Sequence, residues 1–249
     1  MENTHYISSE LLGIETINTI VTNNLKLALS EEAKVNISKC RSYLDAKLLS
    51  NDTPIYGINT GFGSLCNVKI SDENLSRLQE NLVKSHACGT GDEVPQEIVK
   101  IMLLLKIQSL SYGHSGVQLI TVERLIDFYN HDILPVIYTL GSLGASGDLA
   151  PLAHLSLPLL GEGEVYMDGF RQPASKVLQK MGWEPIVLQS KEGLALLNGT
   201  QFMSAYGVYA LIKAEKLSYL ADVISAISLE GFDGRIEPFT DLIHLVRPH

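Results

Sequence analysis

Apolar residues recur along most of this chain at a spacing near 3.6 residues, the period of an amphipathic helix. The longest such run, residues 198–230, is interrupted only by Gly207. It has too few polar positions to stand in water alone, so we expect a helix buried in a bundle. The fold class that the pattern predicts is mainly α, with helices packed on helices. Further helices are predicted over residues 8–51 in two runs, and over 71–86, 95–110, 117–129 and 149–160.

Two short segments depart from the helical pattern. Residues 55–56 predict a brief extended piece, and the three glycines among residues 57–63 predict a sharply turned or mobile loop after it. Residues 164–171 alternate around an Asp-Gly pair, which predicts a small β-hairpin. We expect an N-terminal domain over residues 1–197, followed by the truncated start of a central helical bundle over 198–249.

Composition narrows the classes of function. The chain has 249 residues, 45% of them hydrophobic, and a formal net charge of −9. This acidic balance argues against a nucleic-acid partner, because nucleic-acid binders carry basic stripes. Three cysteines without C-x-x-C spacing indicate neither a disulfide framework nor a metal site, and they fit a reducing compartment. No apolar stretch is long enough for a membrane span and no secretion signal is visible, so we expect a cytoplasmic protein without a membrane partner.

The most informative stretch is residues 141–151, Gly-Ser-Leu-Gly-Ala-Ser-Gly-Asp-Leu-Ala-Pro. If a tight turn presses the amide nitrogen of Gly147 against the carbonyl carbon of Ala145, the backbone can close into a five-membered ring, and glycine suits that attack because its nitrogen is unhindered. Loss of two waters, one carrying the Ser146 hydroxyl, leaves an imidazolone with an exocyclic methylidene, which is a strong electrophile. Asp148 then stands in the first turn of a helix. The alternative for such a Gly-rich turn is a plain loop or a phosphate cradle.

Two further blocks accompany this stretch. Residues 56–63 read Tyr-Gly-Ile-Asn-Thr-Gly-Phe-Gly, and residues 193–200 read Gly-Leu-Ala-Leu-Leu-Asn-Gly-Thr. With residues 141–165, they resemble the aromatic amino acid ammonia-lyases, and the similarity runs from about Tyr6 to the last residue. The resemblance implies the helical lyase fold of the fumarase and aspartase superfamily, here with small β-hairpins and the start of the long-helix bundle.

The resemblance also implies the chemistry of the site. Ala145, Ser146 and Gly147 would form a 4-methylideneimidazol-5-one group autocatalytically, with no metal and no diffusible cofactor. Tyr56 would be the base that removes the β-proton of the substrate, and Asn198 would hydrogen-bond at the electrophile and the substrate. Considered without the resemblance, Tyr56 is an ordinary half-buried tyrosine and Asn198 a helix cap.

Substrate choice depends on Ser85 and His86. Histidine ammonia-lyases, the members that the chain resembles most, have a Ser-His pair here, and an imidazole can exchange a hydrogen bond with a substrate imidazole while serine leaves room for it. The implied reaction converts L-histidine, a small-molecule substrate, to trans-urocanate and ammonia. A tyrosine- or phenylalanine-specific lyase or an aminomutase stays open, because a single histidine is more often a packed or surface residue.

The chain resembles only the N-terminal half of these enzymes. The remaining substrate contacts of the family are an arginine for the carboxylate, a second tyrosine and an acidic residue near the imidazole, and they belong to the other half. Family active sites are also assembled from several subunits of a homotetramer. We therefore expect the 249 residues alone to be inactive or nearly so. The alternative of another class is a noncatalytic, truncated oligomerisation fragment.

Overall fold

Helices dominate the computed structural model, which describes residues 3–50, 53–60, 70, 74–143 and 147–248. The helices are α1 (Ile14–Thr22), α2 (Glu31–Ser50), α3 (Leu75–His86), α4 (Gln96–Ser111), α5 (Leu119–Asn130), α6 (Leu149–Ser156), α7 (Ala174–Met181), α8 (Glu192–Leu197), α9 (Gln201–Gly231) and α10 (Asp241–Val246). The strands are β1 (Thr4–Ile7), β2 (Lys26–Leu29), β3 (Thr90–Glu93), β4 (Leu134–Pro135), β5 (Tyr138–Leu140), β6 (Glu164–Met167) and β7 (Phe170–Pro173). The prediction of a mainly α fold is confirmed.

The stronger sequence patterns gave the right elements. Helices α4, α5 and α9 lie within a few residues of the predicted ranges, and α6 continues as a 3₁₀ helix over Leu157–Leu160. The predicted hairpin is the pair β6 and β7, in which Met167 pairs with Phe170. Asp168 and Gly169 between them have φ of 55° and 79°, as a two-residue hairpin turn requires.

The prediction of two helical runs over residues 8–51 is confirmed by α1 and α2, but residues 8–13 and 23–30 are not helical. Helix α1 ends at Thr22, and Asn24 has a left-handed φ of 48° that turns the chain out of the helix. Strand β2 then pairs in parallel with β1, the segment ahead of α1. The pattern concealed this strand because Leu27 and Leu29 also fit a helical spacing, whereas their burial against β1 and α5 is a tertiary effect.

Helix α4 is the centre of the core. Eleven of its sixteen residues are buried, on every side of the helix, and it packs against α2, α5, β1 and β4. A buried polar residue in such a helix requires a partner from a neighbouring element. Lys106 is such a residue, and its partner is the Ala195 carbonyl in α8.

Three helices form the scaffold of the predicted site. Helix α3 packs on both α6 and α8, and α6 packs on α8. Each of these helices ends or begins at one of the sequence blocks that carry the resemblance. His86 ends α3, Gly147 precedes α6, and Asn198 follows α8. The fold therefore brings three separate parts of the sequence to one region.

Internal contacts divide the chain into two units, residues 1–208 and 209–249. The first contains all of the strands and helices α1 to α8. The second consists of the later part of α9, a 3₁₀ turn over Glu237–Phe239, and α10. The predicted domain boundary between residues 197 and 198 concerns the whole protein and stays a prediction.

Candidate active site

Gly147 is the one member of the predicted ring-forming triplet that the structure describes, since Ala145 and Ser146 lie outside the described residues. Its φ is +93°, a left-handed conformation that favours glycine. A Cβ placed on Gly147 would lie only 2.4 Å from the carbonyl oxygen of Gly199. The turn before α6 and the segment before α9 therefore approach backbone to backbone, and a side chain at Gly147 would separate them.

Asp148 joins the same two segments. Its backbone N–H donates to the Gly199 carbonyl at 2.9 Å. One carboxylate oxygen accepts from the Ser142 hydroxyl at 2.9 Å, and the other accepts from the backbone N–H of Met203 at 3.0 Å. The expectation of an ordinary first-turn acid needs correction, because Asp148 precedes α6, makes no side-chain cap for it, and is buried. It satisfies an amide of the first turn of α9 instead.

Asn198 ends α8 in an extended conformation, with φ of −84° and ψ of 127°. Its N–H donates to the Leu194 carbonyl at 3.0 Å, so the backbone closes the last turn of α8. Helix α9 begins three residues later, at Gln201, so Asn198 is not the N-cap of the long helix. Its side chain is exposed, which leaves the amide accessible at the point where the segment meets Gly147.

The start of α8 is fixed by a buried carboxylate, Glu192, whose exposure is 0%. It accepts from the Thr121 hydroxyl at 2.6 Å, from the Gln189 N–H at 2.7 Å, and from both the backbone and the side chain of Gln118 at 2.9 and 2.7 Å. These four donors satisfy the buried charge and lock the first turn of α8 to α5. The helix before Asn198 is therefore fixed at its beginning.

Tyr56 lies in a turn over residues 56–59, so the predicted extended piece at 55–56 is wrong. The turn forms because its polar side chains bond to its own backbone: Asn59 Oδ1 accepts from the Ile55 N–H at 2.6 Å, and Thr60 Oγ1 accepts from the Gly57 N–H at 3.2 Å. Asn59 and Thr60 are buried, whereas Tyr56 is 52% exposed. The buried residues anchor the turn on which the half-exposed Tyr56 stands. The glycine-rich loop after residue 60 lies outside the described residues.

Gln79 connects this turn to the scaffold. It is fully buried on α3, and its Nε2 donates to the Ile58 carbonyl at 3.4 Å. Its Oε1 accepts from the Gly193 N–H at 2.9 Å. A Cβ on Gly193 would lie 2.9 Å from Gln79 Oε1 and 3.0 Å from the Gln79 carbonyl oxygen, so a larger residue there would disturb this bond. One side chain thus links the Tyr56 turn, the helix that carries His86 and the helix before Asn198.

His86 is at the end of α3 and half-buried. Its Nδ1 lies 2.7 Å from the Leu82 carbonyl and 3.1 Å from the Ser85 hydroxyl. Since a carbonyl only accepts, the proton of the neutral ring is on Nδ1, and Nε2 is a hydrogen-bond acceptor. Ser85 is exposed beside it. The pair therefore has the chemistry that an imidazole-binding role requires.

The segment after His86 is tied to α6 by His154. The Nε2 of His154 accepts from the Gly89 N–H at 3.0 Å, and the ring makes an edge contact with Tyr138. Burial lowers the pKa of His154, which favours the neutral ring that this bond requires. The helix that follows the predicted electrophile thereby also fixes the loop that follows the predicted substrate contact.

Sequence reasoning missed several polar residues that assemble the site. Glu192, Gln79, His154 and Lys106 act through partners 65 to 114 residues away along the chain. One signal was available, namely Lys106 directly after the apolar run of residues 101–105 in α4. Gln201 adds a buried Oε1 that accepts no hydrogen bond from the part of the chain that the structure describes and faces the backbone of Gly199. Within the described ranges, no helix is long and apolar enough to cross a membrane, and no cluster of three or more potential metal ligands occurs.

Comparison with known proteins agrees with this architecture. The family profile described as aromatic amino acid lyase matches residues 12–249. The histidine ammonia-lyase of Myxococcus xanthus is 44% identical over 243 residues, which are 98% of this chain and 48% of the relative. The histidine ammonia-lyase structure from Trypanosoma cruzi aligns with a TM-score of 0.89 and 36% identity over 99% of this chain and 47% of that one. Tyrosine aminomutase from Streptomyces globisporus aligns with a TM-score of 0.90 and 32% identity, over 98% and 46% respectively.

The fold and the turn before α6 thus define a helical lyase scaffold, and the predicted fold class is confirmed. The chain belongs to the aromatic amino acid lyase family. It spans about half the length of the relatives that it matches.

Proposed function

We propose that this chain supplies the electrophile-bearing part of an enzyme that converts L-histidine to trans-urocanate and ammonia. The observation that carries the proposal is the contact of Gly147 with Gly199, at the end of the Ala-Ser-Gly triplet. The curated relatives named histidine ammonia-lyase support the choice of substrate.

The residues present fit the proposed 4-methylideneimidazol-5-one. Ring closure needs an unhindered nitrogen in a compressed turn, and Gly147 combines a φ of +93° with a space too small for a Cβ. The N–H of Asp148, the residue after Gly147, donates to the Gly199 carbonyl and holds the turn against it. Once formed, the ring would supply the electrophile that makes the substrate amine a better leaving group. No metal or diffusible cofactor is part of the proposal.

The other predicted residues take separate roles in the elimination. The exposed Tyr56 phenol, on its anchored turn, removes the β-proton as general base. The Asn198 amide, exposed at the end of α8, donates a hydrogen bond to oxygen where negative charge develops. Both roles need fixed backbones, which the buried Asn59, Thr60 and Glu192 provide.

Assembly with further chain segments and further subunits is part of the proposal. In the second unit, apolar side chains are exposed along the later part of α9; they include Leu217, Tyr219, Ile224 and Ile227, each at least 60% exposed. Contiguous exposed apolar surface of this kind is usual where a partner packs. We propose a homotetramer in which these side chains are covered, and a cytoplasmic location stays a prediction.

The decisive test is ammonia release by this chain completed with the second half of the Myxococcus xanthus relative. We expect turnover of L-histidine, with L-tyrosine and L-phenylalanine at least about 100-fold poorer because the polar contacts built for imidazole would be left unpaired. The matched control is Ser146→Ala, which removes the hydroxyl lost in ring formation. Equal activity of the control would contradict the proposal that the electrophile forms from Ser146. A preference for L-tyrosine would favour the aminomutase-like alternative.

His86 gives a prediction on substrate choice. In the completed protein, His86→Leu should lower kcat/KM for L-histidine by about 10- to 100-fold, because the substrate imidazole loses a hydrogen-bond partner. The rate with L-phenylalanine should not fall. His131→Leu is the control, since His131 also bonds through Nδ1 to the carbonyl four residues earlier. Equal losses in both variants would remove His86 from the substrate site.

A further inference from the structure

Lys106 is a buried lysine in the central helix α4. It lies on α4 with 1% of its surface exposed. Its Nζ donates to the carbonyl of Ala195 at 2.8 Å and to that of Asn198 at 3.3 Å, and no charged group among the described residues acts on it. Burying an ammonium in this way is costly. A lysine in the centre of the core therefore needs a reason beyond packing.

The two carbonyls belong to the last turn of α8, where helix carbonyls lack intrahelical partners. An N–H donor at a helix C-terminus satisfies them. Helix α8 has only six residues, too few to be stable by itself. Its two ends are thus fixed by two buried side chains: its own first residue, Glu192, bonds to α5 at the start, and Lys106 of α4 bonds at the end.

From Lys106, the contacts lead directly to the predicted electrophile. Asn198 accepts its bond, and the next carbonyl, that of Gly199, accepts the N–H of Asp148 and lies against Gly147. We propose that Lys106 is a positioning residue, which sets the Asn198–Gly199 backbone against the ring-forming turn. The functional meaning rests on the proposed lyase activity, whereas the positioning itself does not.

The test measures amide hydrogen exchange in the 249-residue chain. Lys106→Met keeps the apolar stem and removes the donors. The Asp148 and Asn198 amides should then exchange about tenfold faster or more, because Asp148 loses a fixed acceptor, the Gly199 carbonyl, and Asn198 is itself a donor in the segment that is no longer fixed. Amides of α7, a helix without bonds to Lys106, should keep their rates. Lys106→Arg, which retains N–H donors, should restore slow exchange.

Lys100→Met is the matched control, with the same change on the same helix at a lysine that bonds to Asp132 and Asn24 instead. Unchanged Asp148 exchange in Lys106→Met overturns the proposal. Exchange that is equally faster at all sites, including α7, also overturns the proposal, because Lys106 would then stabilise the whole core and not the Asn198–Gly199 backbone in particular. If the methionine variant fails to fold, Lys106→Gln gives the same comparison, and failure of both to fold also overturns it.

The intact mass separates this proposal from the lyase function. Ring formation removes two waters, about 36 Da, from the chain. If the unmutated chain shows this deficit, Lys106→Met should form the ring more slowly, by about tenfold, and Lys106→Arg should recover the rate. If the unmutated chain shows no deficit, the ring proposal is weakened for this chain, and the exchange rates still decide the role of Lys106.

Discussion

Gly147→Ala should abolish ring formation and destabilise the chain by about 2–4 kcal/mol, the range for a strained backbone combined with overpacking. The added Cβ would lie 2.4 Å from the Gly199 carbonyl oxygen, and backbone cannot yield as a flexible side chain does. The φ of +93° adds its own strain for any residue with a Cβ. The measurements are urea unfolding and the intact mass, which should lack the deficit of about 36 Da for two waters.

Gly169→Ala separates the two causes. Gly169 has a similar φ of +79°, but a Cβ there meets nothing within 4 Å. This control should lose only about 1 kcal/mol, the conformational part of the effect, and should show the same deficit from its calculated mass as the unmutated chain. If both variants lose equal stability, the contact with Gly199 is not tight. If Gly147→Ala shows the full mass deficit, the proposed attack geometry is wrong.

The sequence was a good guide wherever local pattern decides structure. The hairpin follows from the Asp168-Gly169 pair, whose left-handed conformations suit a two-residue turn. Helix α9 follows from an apolar run that is too long for a strand. The mainly α class follows from the sum of such runs. In each case, the deciding interaction spans only a few residues.

The errors came from interactions between distant residues. Strand β2 exists because β1 and the Asn130 side chain pair with its backbone; Asn130 bonds to both the N–H and the carbonyl of Leu27. Asp148 was expected to serve its own helix, yet its carboxylate bonds to Met203, 55 residues later. The spacing of hydrophobic residues along the sequence does not reveal such distant partners. A short strand and a buried acid are therefore easily misassigned from sequence.

In the candidate site too, local motifs could be recognised from the sequence and contacts between distant residues could not. Tyr56, His86, Gly147 and Asn198 were chosen from short motifs, and α3, α6 and α8 place the last three on mutually packed helices. Their catalytic roles stay predictions. The residues that fix them could not be chosen in this way, because Gln79, Glu192 and Lys106 gain meaning only from the elements that they join. Short motifs indicate the candidate reactive residues, whereas buried polar residues between the helices fix the positions of the backbone that carries them.

Lys106 should also make the stability of the chain rise with pH. Burial lowers its pKa from 10.5 to about 7 in the folded chain, and no charged group contributes to that shift among the described residues. Between these values the unfolded chain binds a proton that the folded chain does not, so the free energy of unfolding increases as the pH rises. From about pH 7 to about pH 9.5, this one group should contribute roughly 3 kcal/mol.

Urea unfolding of the unmutated chain and of Lys106→Met, at several pH values in that window, isolates the effect. Burial also lowers the pKa of Lys191, which adds a rise of the same sign, and burial raises that of Tyr129 to about 12, which opposes it only above pH 10. Both groups are present in both chains, so they cancel in the difference. The gap between the two chains should widen with pH in favour of the unmutated one. A constant gap would mean that Lys106 keeps its proton when folded, and α8 would then end on a permanent buried ammonium.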